Sequence, residues 1–155
     1  MNDKCMNIEI KQQLNEHVLD IYHLIEIADL LRKNPLEFKS LIDPNGGKQW
    51  ENIAMMLPYL PLEMIEENID HLLEGFMDLN WLGSRVLYAY LPQLDIRILK
   101  PALNRVIHHA IALGDGEWVF FINSFLENES LGLANSYREE IELSQNYLVT
   151  KGIYE

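Results

Sequence analysis

Apolar residues recur at three- and four-residue steps along almost the whole chain, and prolines and glycines interrupt that rhythm at short intervals. Such a period places one apolar stripe on each helix, so the chain folds as a series of short amphipathic helices that bury their stripes against one another. No convincing strand emerges. Residues 8–33 carry Leu14, Val18, Ile21, Ile25, Ala28 and Leu31 as one stripe, ended by Asn34-Pro35 because proline disfavours helix in the residue before it. A short segment from Leu36 to Ile42 leads into the loop Asp43-Pro44-Asn45-Gly46-Gly47. Helix resumes from about Gln49 to Leu57 and stops at Pro58 and Pro61. The next runs from Leu62 to Leu79 on Leu62, Ile65, Ile69, Leu72, Leu73 and Phe76, with Asn80 the expected cap of a helix from Trp81 to Leu91. Residues 95–113 follow, their regular helix expected to begin near Pro101. Gly114-Asp115-Gly116 breaks the chain before helices at Glu117–Leu126 and Asn135–Leu148.

An internal echo organises these helices. Leu57-Pro58-Tyr59-Leu60 returns as Leu91-Pro92-Gln93-Leu94, 34 positions later, and at that offset Ile65, Ile69, Leu72 and Leu73 match Leu99, Leu103, Val106 and Ile107. Trp81 and Trp118 each open a short helix, at a spacing of 37, and Trp50 opens an earlier one. The implied unit is a helix pair that cannot bury its apolar face alone and must stack on neighbours. The expected fold is all-α: stacked antiparallel helix pairs in a HEAT-like α-α superhelix, one domain over residues 1–155, with a flexible tail at about 1–7 and the pairs at about 48–126.

Charge limits what such a stack binds. Twenty-four acids against twelve bases give a formal charge of −12. That field repels phosphate backbones and anionic membrane surfaces and attracts basic partners. No apolar run reaches the roughly 18 residues of a membrane span, the first residues lack the apolar core of a signal peptide, and the single cysteine, Cys5, cannot form an internal disulfide. A cytoplasmic protein is the expectation, with its oligomeric state left open.

No motif with a catalytic mechanism emerges. His17 and His23 flank Asp20 but stand about 600° apart on a helix, and the adjacent His108 and His109 point about 100° apart, so neither pair binds one metal from a regular helix. Ser84 follows Gly83 without the Gly-x-Ser-x-Gly elbow. The reading is of a non-enzyme without metal or cofactor. The carboxylates are more suggestive: Glu63, Glu67, Asp70 and Glu74 follow three- and four-residue steps and form one acidic stripe, with Glu66 beside it and Asp78 in the turn beyond. Trp81, Arg85 and Tyr88 share a face where the second helix of a pair lines a concave surface; Arg85 has Asp78 and Asp115 as alternative partners.

The stretch from Pro61 to about Leu126 is similar to a small bacterial helical family whose hallmark is an acidic-x-Asn-Trp turn between two helices, followed by a Glu-x-Trp or similar motif opening a later helix. Here these are Asp78-Leu79-Asn80-Trp81 and Glu117-Trp118, with Leu82 where that family carries proline. The wider architecture resembles HEAT-like repeat proteins, and the size, charge and helicity resemble bacterial immunity proteins of the contact-dependent inhibition type. That resemblance implies neutralisation of a cognate basic toxin domain, such as a nuclease, by acidic mimicry. The partner-binding residues are then Glu66, Glu67, Asp70, Glu74, Asp78, Arg85, Tyr88, Asp115 and Glu117. The alternative is a HEAT-like adaptor or regulatory module without a toxin link.

Overall fold

The structure, a computed structural model, describes residues 3–152. It is all-α, with nine helices among the described residues: α1 Asp3–Glu16, α2 Ile21–Lys33, α3 Pro35–Leu41, α4 Lys48–Met56, α5 Leu62–Leu72, α6 Leu82–Tyr90, α7 Ile96–Leu113, α8 Gly116–Glu127 and α9 Arg138–Thr150. They stack in two layers. In the first, α5 packs on α3 and α7, and α7 packs on α9; in the second, α4 packs on α1 and α6. The second layer ends in α8, which rests on α7, on α9 and on the 3-10 turn Leu73–Met77. Tyr88 of α6 meets Phe125 of α8 edge-on at 5.0 Å and joins those two helices.

The 34-residue spacing is a property of the backbone. α4, α6 and α8 begin at Lys48, Leu82 and Gly116, and α5 and α7 at Leu62 and Ile96. Both Leu-Pro marks are single 3-10 turns, Leu57–Tyr59 and Leu91–Gln93, because proline has no N–H to continue the α-helical ladder. Each turn closes with a leucine N–H donating to a leucine carbonyl, Leu60 to Leu57 at 3.2 Å and Leu94 to Leu91 at 3.0 Å.

The tryptophans obey this register in a different way from the sequence pairing. Trp50, Ser84 and Trp118 occupy the same position in successive units, while Trp81 precedes α6 as Gly47 precedes α4 and Asp115 precedes α8. The spacing of 37 pairs residues in unlike places. Trp50 and Trp118 are fully buried and Trp81 is half-buried. The Trp50 indole N–H donates to Ser84 Oγ (3.1 Å), whose hydroxyl donates to the Gly75 carbonyl (2.6 Å). A Cβ on Gly75 or on Gly83 would lie 2.5 Å from an indole atom of Trp50. One unit therefore supplies the large side chain and the next supplies the small ones.

Four local expectations are corrected. Residues 8–33 form two helices, because Asn52 of α4, itself buried, holds the connector open: its side chain accepts from the Leu19 N–H and donates to the Leu14 and His17 carbonyls. Asp20 then caps α2 through the His23 N–H (2.9 Å), and Val18, Ile21 and Ile25 are left exposed. α5 stops at Leu72 and continues as the 3-10 turn, and Trp81 precedes α6 as its cap residue, with the Asn80 N–H donating to Asp78. Asp95 caps α7 through the Arg97 N–H (2.8 Å), so the helix starts at Ile96 and Pro101 lies inside it on the exposed side. α9 starts at Arg138 and not Asn135. Of the segment 1–7 read as a tail, residues 1–2 lie outside the described residues, and α1 begins at Asp3.

α9 docks on α7 through a buried carboxylate. Glu140 accepts from Lys100 Nζ and Asn104 Nδ2, and Lys100 also donates to the Ser136 carbonyl while lying 5.4 Å from the centre of the Tyr137 ring. Burial first, then the Glu140 charge, pushes the Tyr137 phenol up to about 12. The fold favours the neutral phenol, so its contribution is complete below the ordinary phenol range near pH 10 and is lost as pH rises from there towards 12. Alkaline titration followed by circular dichroism is expected to show stability falling over that window, and Tyr137→Phe is expected to flatten part of the fall.

Candidate functional site

The face of α5 that carries the acidic stripe is built by the opposite stripe. Met64, Ile65, Ile69 and Leu72 are buried, which turns Glu63, Glu66, Glu67 and Asp70 outward. Where α5 meets α7 and α8, a cleft of about 360 Å³ opens, lined by Asp70, His71, Glu74, Arg105, Val106, His109 and Trp118. Arg105 of α7 grips Asp70 with two hydrogen bonds, Nη2 to Oδ1 at 2.7 Å and Nε to Oδ2 at 2.9 Å. These bonds raise the guanidinium pKa further. The pair is about half exposed, so it contributes at most about 1 kcal/mol. The His71 ring bridges two oxygens, the Ile42 carbonyl 2.6 Å from Nε2 and Glu74 Oε2 2.6 Å from Nδ1. His109 meets Trp118 edge-on at 5.9 Å.

The sequence-predicted residues thus fall into two groups. Asp70 and Glu74 line the cleft, Asp70 held by Arg105 and Glu74 by His71. Asp78 accepts the Asn80 N–H, and Asp115 caps α8 by accepting the Trp118 N–H at 3.1 Å. Arg85 donates to the Leu79 carbonyl and pairs with neither Asp78 nor Asp115. Tyr88 is half-buried between Phe76 and Phe125, and its hydroxyl accepts from Asn128 (2.7 Å). In contrast, Glu66, Glu67 and Glu117 are exposed and have no hydrogen-bond or ion-pair partner among the described residues, and Glu63 stands with them.

The cations of α7 explain why the α5 face stays acidic. Arg97 is held by Asp95, whose carboxyl it keeps below the usual carboxylate range through side-chain and backbone hydrogen bonds; Lys100 is held by Glu140 and Arg105 by Asp70. None of the three reaches Glu63, Glu66 or Glu67. Sequence reasoning missed Arg105 and His71 as members of the site. The signal was present for Arg105: a residue on α5 faces one about a repeat length further on, and Asp70 and Arg105 are 35 apart. Among the described residues no group of three or more histidine, cysteine, aspartate or glutamate side chains could hold a metal ion, and no helix is long and apolar enough to cross a membrane. Comparison with protein families, with curated proteins and with solved structures finds no match.

Proposed function

We propose that the chain is a protein-binding protein of the immunity type, which captures a cognate basic toxin domain on the acidic face of α5. One observation carries the reading: Glu63, Glu66 and Glu67 stand exposed and unpaired on one helix face while the nearby cations of α7 are engaged by other carboxylates. In a molecule of formal charge −12 such a face attracts and orients a basic surface. The three carboxylates can stand in for phosphates at the substrate groove of a nuclease.

The test is capture on immobilised protein from an extract of the native host, followed by co-expression with the captured partner in a growth-protection assay. The triple change Glu63→Lys, Glu66→Lys and Glu67→Lys is expected to weaken capture roughly tenfold or more and to abolish protection. Unchanged capture would rule this face out. One observation favours a second reading, an adaptor without a toxin link. A hollow of about 310 Å³ on the second layer is lined by Gly116, Glu117, Phe120 and Phe121, and it offers a largely apolar anchor site whose binding is insensitive to salt.

A further inference from the structure

The hydrogen bonds of His71 fix its charge. Its Nε2 lies 2.6 Å from the Ile42 carbonyl oxygen, and its Nδ1 lies 2.6 Å from Glu74 Oε2. A carbonyl and a carboxylate only accept, and a neutral imidazole has a single N–H to give. At that distance a bare ring nitrogen would set its lone pair against an oxygen lone pair. The His71–Glu74 pair therefore holds one proton more than a neutral imidazole beside a carboxylate. That proton sits on the ring, the stronger base of the two.

The surroundings favour that cation. Ile42 caps the carboxyl end of α3, and His71 lies in the last turn of α5. Helix carboxyl ends carry negative partial charge and hold cations. The other charged groups leave this balance in place. On α5, Asp70 is paired with Arg105 of α7, so the two offset each other. The Leu73–Met77 turn brings Glu74, the ring's own partner. α7 also brings His109, α8 brings the uncharged Trp118, and Asp43, which is exposed, follows Ile42 in the chain. The His71 side chain is 42% exposed, so its proton exchanges with water.

We propose that His71 is a proton-operated latch: as an imidazolium it ties the end of α3 to the end of α5, and the loss of one proton releases residues 43–47. A neutral ring keeps only one of the two bonds. The charged acceptor forms the stronger one, so the remaining N–H stays on Glu74 and the Ile42 carbonyl faces a bare nitrogen. Residues 43–47, which lead on to α4, then lose their tie to α5. They keep their local bonds, from the Gly47 N–H to Asn45 Oδ1 at 2.6 Å and from Asn45 Nδ2 to the Asp43 carbonyl at 2.9 Å. The fold binds the protonated form. The latch is therefore complete in acid and is lost as pH rises through the range in which histidine titrates, about pH 5–8. It is separate from the acidic face of α5 and stands or falls without it.

The test is NMR of the histidine ring nitrogens in the full chain between about pH 5 and about pH 8, with amide exchange measured in the same samples. The expected result is a His71 ring protonated on both nitrogens at the acid end and on one at the alkaline end. After correction for the intrinsic effect of pH, the Gly47 amide is expected to exchange at least about threefold faster at the alkaline end. His71→Gln offers an amide N–H and has no proton to lose, so its corrected Gly47 exchange is expected to be flat with pH. His109→Gln changes the other histidine of the cleft and is expected to keep the dependence of the unaltered chain. A His71 ring with a single proton at the acid end would overturn the proposal. So would pH-dependent exchange at Gly47 that persists in His71→Gln, or that disappears in His109→Gln.

Discussion

Trp50→Ala is expected to lower the unfolding free energy by about 3–5 kcal/mol, the range for emptying a large buried aromatic site, and to lower the melting temperature by on the order of 10 °C for a chain of this length. The magnitude follows from the packing. Trp50 is fully buried and sits where α4 meets α6, against the backbone of Gly83 and the turn at Gly75. These atoms belong to a regular helix and a 3-10 turn and cannot collapse into the space. The indole N–H bond to Ser84 is lost as well, although Ser84 keeps its own bond to the Gly75 carbonyl. The reciprocal change tests the same contact from the other side. Gly83→Ala places a methyl group within 2.8 Å of three indole atoms and is expected to cost about 1–3 kcal/mol through overpacking. Thermal melts followed by circular dichroism check both, and a Trp50→Ala variant melting within two or three degrees of the unaltered chain would mean that this contact does not hold the units together.

Lys100→Met is expected to cost about 3 kcal/mol, the lower end for breaking a buried ion pair, because it leaves the Glu140 carboxylate uncompensated. Glu140 is 1% exposed and Lys100 30%, so the acid is shut off from water while part of the lysine side chain is not. Burial pushes the Lys100 pKa down, yet the hydrogen bond and charge of Glu140, with Glu139 behind them, push it up by more, and the net shift is upward. The protonated lysine is thus part of how α9 closes the stack. Changing Glu140→Gln in the same molecule is expected to recover much of the loss, since an amide at that position no longer buries a charge and still accepts from Asn104. Urea unfolding of the single and double variants gives the coupling between the two residues. A midpoint for Lys100→Met equal to that of the unaltered chain would show that the pair is not what anchors α9.

The helices and their stacking were legible in sequence because periodicity and proline act locally. Leu-Pro at 57–58 and 91–92 marks equivalent turns, and the 34-residue offset between them runs from α4 to the start of α8. What sequence could not resolve were features set by a distant side chain. The break at residues 17–20 lies in an unbroken apolar rhythm and exists because Asn52, more than thirty positions away, satisfies its backbone. The pairing of Trp81 with Trp118 followed residue type, whereas the fold requires a large side chain to face small ones, which makes Trp50 and Ser84 neighbours in the register. The acidic stripe on α5 was visible as spacing, but its division was not. Asp70 and Glu74 are engaged by Arg105 and His71, and Glu63, Glu66 and Glu67 are not engaged.

Whether the acidic α5 face receives a basic protein partner is decided by the salt dependence of partner affinity in the unaltered chain and in the variant with Glu63, Glu66 and Glu67 changed to glutamine. Exposed charge pairs are screened over about 10 Å at 0.1 M salt. Affinity is expected to fall steeply with salt for the unaltered chain and along a markedly flatter line for the glutamine variant, the two converging at high salt. Two parallel lines, or an affinity indifferent to salt in both proteins, would contradict it.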